Sequence, residues 1–135
     1  MVRDLLPGWE VIFNYNNQGN GRIWTAWDPS VLSVQHIFSS SQLEHLLVHI
    51  IGTQQRFLAT IVYGLNYPHE RLPLWADIGS IHQHSQNLPW VLLGDFNIVR
   101  SVSEKQGGDM SWSTAMDDLN NCCCNAELED LHFKG

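Results

Sequence analysis

Four apolar residues, Trp90 to Leu93, run straight into Gly94, after which an acid and an amide, Asp95 and Asn97, flank Phe96. A run of this kind reads as a buried strand that has to stop at its glycine. Whatever fold the chain takes, it must deliver a carboxylate and an amide to the rim of a sheet. In extended geometry Asp95 and Asn97 point the same way, and Phe96 points oppositely, able to anchor the turn in the core. Gly94 lets the backbone bend or a ligand come close. A carboxylate beside an amide suits phosphate chemistry. The acid can hold a divalent cation or take a proton from water, and the amide can orient it or donate to a phosphate oxygen. The same residues also suit a plain strand-to-loop turn in which both cap backbone groups.

Upstream of this segment the chain reads as a series of strands with short connections. Residues 9–15 (WEVIFNY) precede a turn-rich segment suited to a hairpin, NNQGNG. Strands at 22–27, 31–38, 43–51 and 56–64 follow, the second of these after the turn signal DPS. In the strand at 43–51, Leu43, His45, Leu47, His49 and Ile51 take one side and Glu44, Leu46, Val48 and Ile50 the other. Five such strands suggest a mostly antiparallel meander. Residues 69–86 then carry Leu72, Trp75, Ile78 and Ile81 near helical spacing, which predicts an amphipathic helix, with Pro73 acceptable only in its first turn. After the strand at 90–96 comes a polar loop, then a second helix over 113–127 with Ala115, Met116, Leu119 and Cys122 or Cys123 inward. A last strand is expected to begin in LEDLHFKG, 128–135.

A chain of 135 residues has room for one domain. At 44% hydrophobic and 16% charged it can bury a core. Seven basic against fourteen acidic residues leave a formal charge of -7, so bulk charge cannot hold DNA by its phosphates, although a local basic strip can. The three cysteines are consecutive, Cys122 to Cys124, and odd in number, which fits a reducing compartment without a disulfide framework. No second Cys/His pair stands at zinc-like spacing from them. No apolar run approaches the ~20 residues of a membrane helix, and no signal-peptide core precedes the first strand. His45 and His49 share a strand face, which is commoner for core or surface histidines than for metal ligands; His82 and His84 fall on the polar part of a helix.

A second polar cluster ends the strand before the helix. In VYGLNYPHER, 62–71, Tyr63 and Asn66 can each donate to a phosphate oxygen; alone, Tyr63 reads as a strand aromatic with a wet hydroxyl. Together, IVYGLNYPHERLPLW (61–75) and LPWVLLGDFNIVRSVSEKQGG (88–108) resemble the endonuclease/exonuclease/phosphatase superfamily. Within it, the chain is most similar to the exonuclease III-like endonuclease domain of plant non-LTR (LINE-type) retrotransposons. GNGRIWTAWDP (19–29) and LEDLHFKG (128–135) resemble further segments of that domain, so the likeness spans nearly the whole chain.

The resemblance implies an α/β fold, part of a four-layer DNase I-like sandwich with mostly antiparallel strands and outer helices. By the same resemblance, Asp95 is the base or water-orienting carboxylate and a metal ligand, Asn97 is its partner at the scissile phosphate, and Tyr63 and Asn66 contact that phosphate. Mg²⁺ is the implied cofactor, DNA the implied partner, and the nucleus the implied location. The parent reaction is a nick that leaves a 3′-hydroxyl. The family's principal metal ligand, a Glu, belongs upstream of GRIW. Its histidine belongs beyond residue 135, and neither Asp4 nor Glu10 takes the ligand's place. The expectation is therefore a single incomplete domain over 1–135, truncated at both ends and inactive by itself. The alternatives are a non-catalytic remnant or binding module, and a phosphatase of small phosphate esters.

Overall fold

The computed structural model describes residues 2–14, 21–85, 87–98 and 114–131. In chain order its elements are α1 (Val2–Leu5), β1 (Glu10–Phe13), β2 (Trp24–Trp27), β3 (Leu32–Ser39), β4 (Leu43–Ile50), β5 (Arg56–Tyr63), a 3₁₀ turn (Pro68–Arg71), α2 (Leu72–His84), β6 (Trp90–Asp95) and α3 (Thr114–Asn125). Helices and strands both contribute, so the chain is α/β as expected. Its contacts divide it into two compact units, Met1–Gly64 with Asn87–Asp95, and Leu65–Gln86 with Phe96–Gly135.

The first unit holds the six strands of the described residues, in two sheets. β1 and β2 form an antiparallel pair, and the second sheet runs β3-β4-β5-β6. The expected five-strand meander is therefore broken between β2 and β3, because the turn at Asp28 leads into a different sheet. Asp28 accepts bonds from the Ser30 amide and hydroxyl there, and these, the hydroxyl first, draw its carboxyl below the usual range. β3, β4 and β5 are antiparallel neighbours. β5 and β6 pair in parallel, from Leu58 opposite Trp90 to Tyr63 opposite Asp95. A parallel pair needs a long crossover, which is why a helix-bearing stretch of chain separates them.

Burial explains the choice of centre. β4 is buried on both faces, its apolar run leaving no wet side. Leu46, Val48 and Ala59 form a core on one face, with Ile12 of β1, Ile61 and Val91 packed against them. Burying each leucine of this kind contributes about 1.5–3 kcal/mol. Two polar ties join the sheets: Asn14 Nδ2 donates to the Ser40 carbonyl at 3.0 Å, and Thr25 Oγ1 donates to Glu44 Oε2 at 2.6 Å. On the other face of the larger sheet, Trp90 Nε1 donates to Thr60 Oγ1 at 2.8 Å, and Thr60 Oγ1 lies 2.8 Å from His45 Nδ1. His45 is buried and desolvation lowers its pKa, which favours the neutral ring. His45 is thus a satisfied core histidine, and His49 bonds separately to the Thr53 carbonyl at 2.7 Å.

The second unit contains α2 and α3, which touch each other. Pro73 falls in the first turn of α2, where its missing N–H costs nothing. The helix buries Leu74, Ile78 and Ile81, while Leu72 is exposed, so the inward stripe begins two residues later than its spacing suggested. A strict three-residue spacing drifts by about 60° per step on an α-helix, so Leu72 and Ile81 fall on opposite sides of it. α3 buries Ala115, Met116, Leu119 and both Cys122 and Cys123. All three cysteines are thiols, and burial, with Cys123 beside it, pushes the Cys122 thiol up to about 12. His84 Nδ1 bonds the Ser80 carbonyl and His82 lies 3.9 Å from Glu127. Of the strand expected at 128–135, residues 128–131 have no regular structure and the remainder lies outside the described residues. The turn at 16–21 and the polar loop after β6 also lie largely outside them.

Candidate functional site

β5 and β6 are parallel and end together. Tyr63 and Asp95 are register partners at their carboxyl ends, and the Gly64 amide donates to the Asp95 carbonyl at 2.7 Å, closing the ladder. Counting back in twos from Tyr63 reaches Ala59 in the core cluster. Asp95 is exposed and Tyr63 half-buried, so a phenol and a carboxylate stand side by side at the sheet's rim with access to solvent. Arg22, just before β2, holds its guanidinium carbon 5.8 Å from the centroid of the Tyr63 ring. Arg22 is exposed, and the GRIW segment gave no hint of this placement because the contact spans some forty residues of sequence.

The glycine before Asp95 has a definite cause. Gly94 has φ +134, and a Cβ there would collide with the backbone of Val62, its partner on β5. Only glycine lets β6 come this close to β5 at the position that presents Asp95.

In the second unit, Asn97 Nδ2 donates to Asn66 Oδ1 at 3.3 Å. The two amides named from the sequence are therefore brought together. Asn97 has φ +56, a left-handed conformation that asparagine tolerates better than other side-chain-bearing residues. This corrects the extended geometry expected for 95–97. The strand ends at Asp95, one residue earlier than expected, and Asn97 lies in a turn. Asn97 thus serves a backbone role and a side-chain role at once. Phe96 stacks on Trp75, with ring centroids 6.2 Å apart and planes 16° apart, and so does anchor the turn.

Arg71 supports the loop that carries Asn66. It is 2% exposed, and its Nη1 donates to the carbonyls of Leu65 (2.8 Å) and Asn66 (2.9 Å). Desolvation pulls its pKa down while the charge of Asp118 pulls it up. Its Nε is buried without a partner. Sequence reading passed over Arg71 because an arginine in a polar stretch such as HER reads as solvated, and nothing local marks it as buried.

Among the described residues, no group of three or more His, Cys, Asp or Glu side chains is placed to hold a metal ion. Mg²⁺ is commonly held by one or two carboxylates together with substrate phosphates. One carboxylate such as Asp95 does not by itself make a resident site. Among the described residues, no helix is long and apolar enough to cross a membrane. No protein-family model matches the chain, and neither does any curated protein.

Proposed function

We propose that the chain is part of a DNA-nicking endonuclease domain of the endonuclease/exonuclease/phosphatase superfamily, of the branch carried by plant non-LTR retrotransposons, and that its parent fold is the DNase I-like sandwich. Its described residues supply phosphate recognition: Tyr63 and Asn66 donate to phosphate oxygens, Asp95 accepts a proton or orients water, and Asn97 assists. The observation that supports this reading most is the joint ending of β5 and β6, with Tyr63 next to Asp95 in register. Carboxyl ends of parallel strands are where open α/β sheets place their ligands. The bond between Asn97 and Asn66 adds a second pair from the same two sequence segments. A working domain of this class acts in the nucleus on chromosomal DNA.

The test combines binding and turnover. A fluorescein-labelled DNA duplex is titrated with the chain and with Asn66→Ala, and supercoiled plasmid is incubated with each protein and millimolar Mg²⁺. Binding that weakens in Asn66→Ala, without nicking, is the expected result for recognition with an incomplete catalytic set. Nicking that disappears in Asp95→Ala would show a working base at position 95. Equal binding by the wild type and Asn66→Ala sinks the reading, and phosphate release from inositol phosphates would replace DNA with small esters.

A further inference from the structure

We infer that Arg22 is the cation that draws the phosphodiester to Tyr63 and Asp95, a substrate-binding role that rests on the reading above. A chain with net charge -7 repels a polyanion, so a phosphate site on it needs a local positive charge. The described arginine side chains differ in what they can offer. Arg71 is buried and commits its Nη1 to two backbone carbonyls. Arg56 is exposed but begins β5, seven residues from Tyr63, which at the rise of a strand is about 23 Å along the sheet. Arg22 is exposed and lies over the Tyr63 ring, on the strand end where Asp95 is the register partner.

The geometry also fits the chemistry. A guanidinium over an aromatic face keeps its N–H edge free, and that edge matches two phosphate oxygens. Tyr63 then has two tasks: its hydroxyl donates to the phosphate and its ring holds the arginine in place. An arginine here also offsets the repulsion between the Asp95 carboxylate and the incoming phosphate.

The experiment is anisotropy of a fluorescein-labelled duplex, titrated at several salt concentrations with the full chain, Arg22→Ala, Arg22→Lys, Asn66→Ala and Arg56→Ala. Arg22→Ala is expected to weaken binding severalfold and to lower the slope of log K against log salt by about one. Arg22→Lys keeps the slope and loses part of the affinity, because a point charge cannot grip two oxygens. Asn66→Ala weakens binding with the slope unchanged, and Arg56→Ala changes neither. The melting temperature of Arg22→Ala stays near wild type, as expected of an exposed side chain. If Asn66→Ala weakens binding and Arg22→Ala does not, Arg22 has no such role while the site reading stands. If Asn66→Ala has no effect, the site reading fails and the role of Arg22 falls with it. An equal loss in Arg56→Ala and Arg22→Ala means bulk charge only, and overturns the proposal.

Discussion

A side chain on Gly94 would run into Val62, its register partner across the parallel β5–β6 ladder. With φ at +134, the same position also lies where a Cβ is strained whatever the space around it. The glycine of Gly-Asp-Phe-Asn is thus required by the ladder that carries Asp95. Gly94→Ala should cost about 3 kcal/mol from strain and collision together. Urea unfolding checks this: the midpoint falls, and a midpoint equal to wild type would show that β6 can step away from β5 without loss.

Asn97 can be divided into its backbone and its amide. At φ +56, glycine replaces the backbone role without strain, whereas alanine does not. Both substitutions remove the bond to Asn66 Oδ1. Asn97→Gly is therefore expected to stay within about 0.5 kcal/mol of wild type, and Asn97→Ala to lose about 1 kcal/mol more. Both should weaken duplex binding alike. If Asn97→Gly binds DNA as well as wild type, asparagine is present for the turn and not for phosphate.

Arg71 ties down the Asn66 loop through the carbonyls of Leu65 and Asn66. Hydrogen bonds from a charged donor contribute about 1.5–3 kcal/mol each. Arg71→Met preserves much of the volume and removes both bonds. It should lower stability by about 3 kcal/mol and raise amide exchange at Leu65 to Tyr67 more than in β4. Exchange that rises evenly through the chain would show general destabilisation and no specific hold on the loop.

Much of this layout was legible in the sequence, for a physical reason. Strands β1 to β6 declare themselves by alternation or unbroken apolar runs, and these are local signals. The helix stripe at Ile78 and Ile81 and the buried faces of Ala115, Met116 and Leu119 are local too. What escaped was non-local or conformational. The parallel pairing of β5 with β6 depends on which edges meet. The break between β2 and β3 depends on a turn that changes sheets. Asn97 was expected to be extended because spacing alone cannot report a positive φ, and Leu72 was expected inward because a three-residue spacing drifts around a helix of 3.6 residues per turn. Arg22 and Arg71 looked like ordinary surface arginines. Only the chain's folding brings one over Tyr63 and the other under Leu65 and Asn66.

Glu44 and His45 are neighbours on β4 that face opposite sides of the sheet, and they set opposing pH limits on the first unit. Glu44 is fully buried, and desolvation raises its pKa, with the Thr25 bond pulling the other way. Its folded form therefore holds a proton that the unfolded chain releases near 4.5. The stability from that protonated state is complete below 4.5 and is lost as pH rises through the higher folded value. His45 is displaced the other way, by desolvation, from 6.5. Its contribution is complete above 6.5 and is lost as pH falls through that value toward the lower folded one. Glu44→Gln keeps the shape and an acceptor for Thr25, so its advantage over wild type should grow from pH 4.5 upward and then level off. His45→Gln should instead gain on wild type as pH drops below 6.5. Urea midpoints at half-unit steps from pH 4 to 8 measure both, and curves that run parallel to wild type would mean that neither group titrates differently on folding.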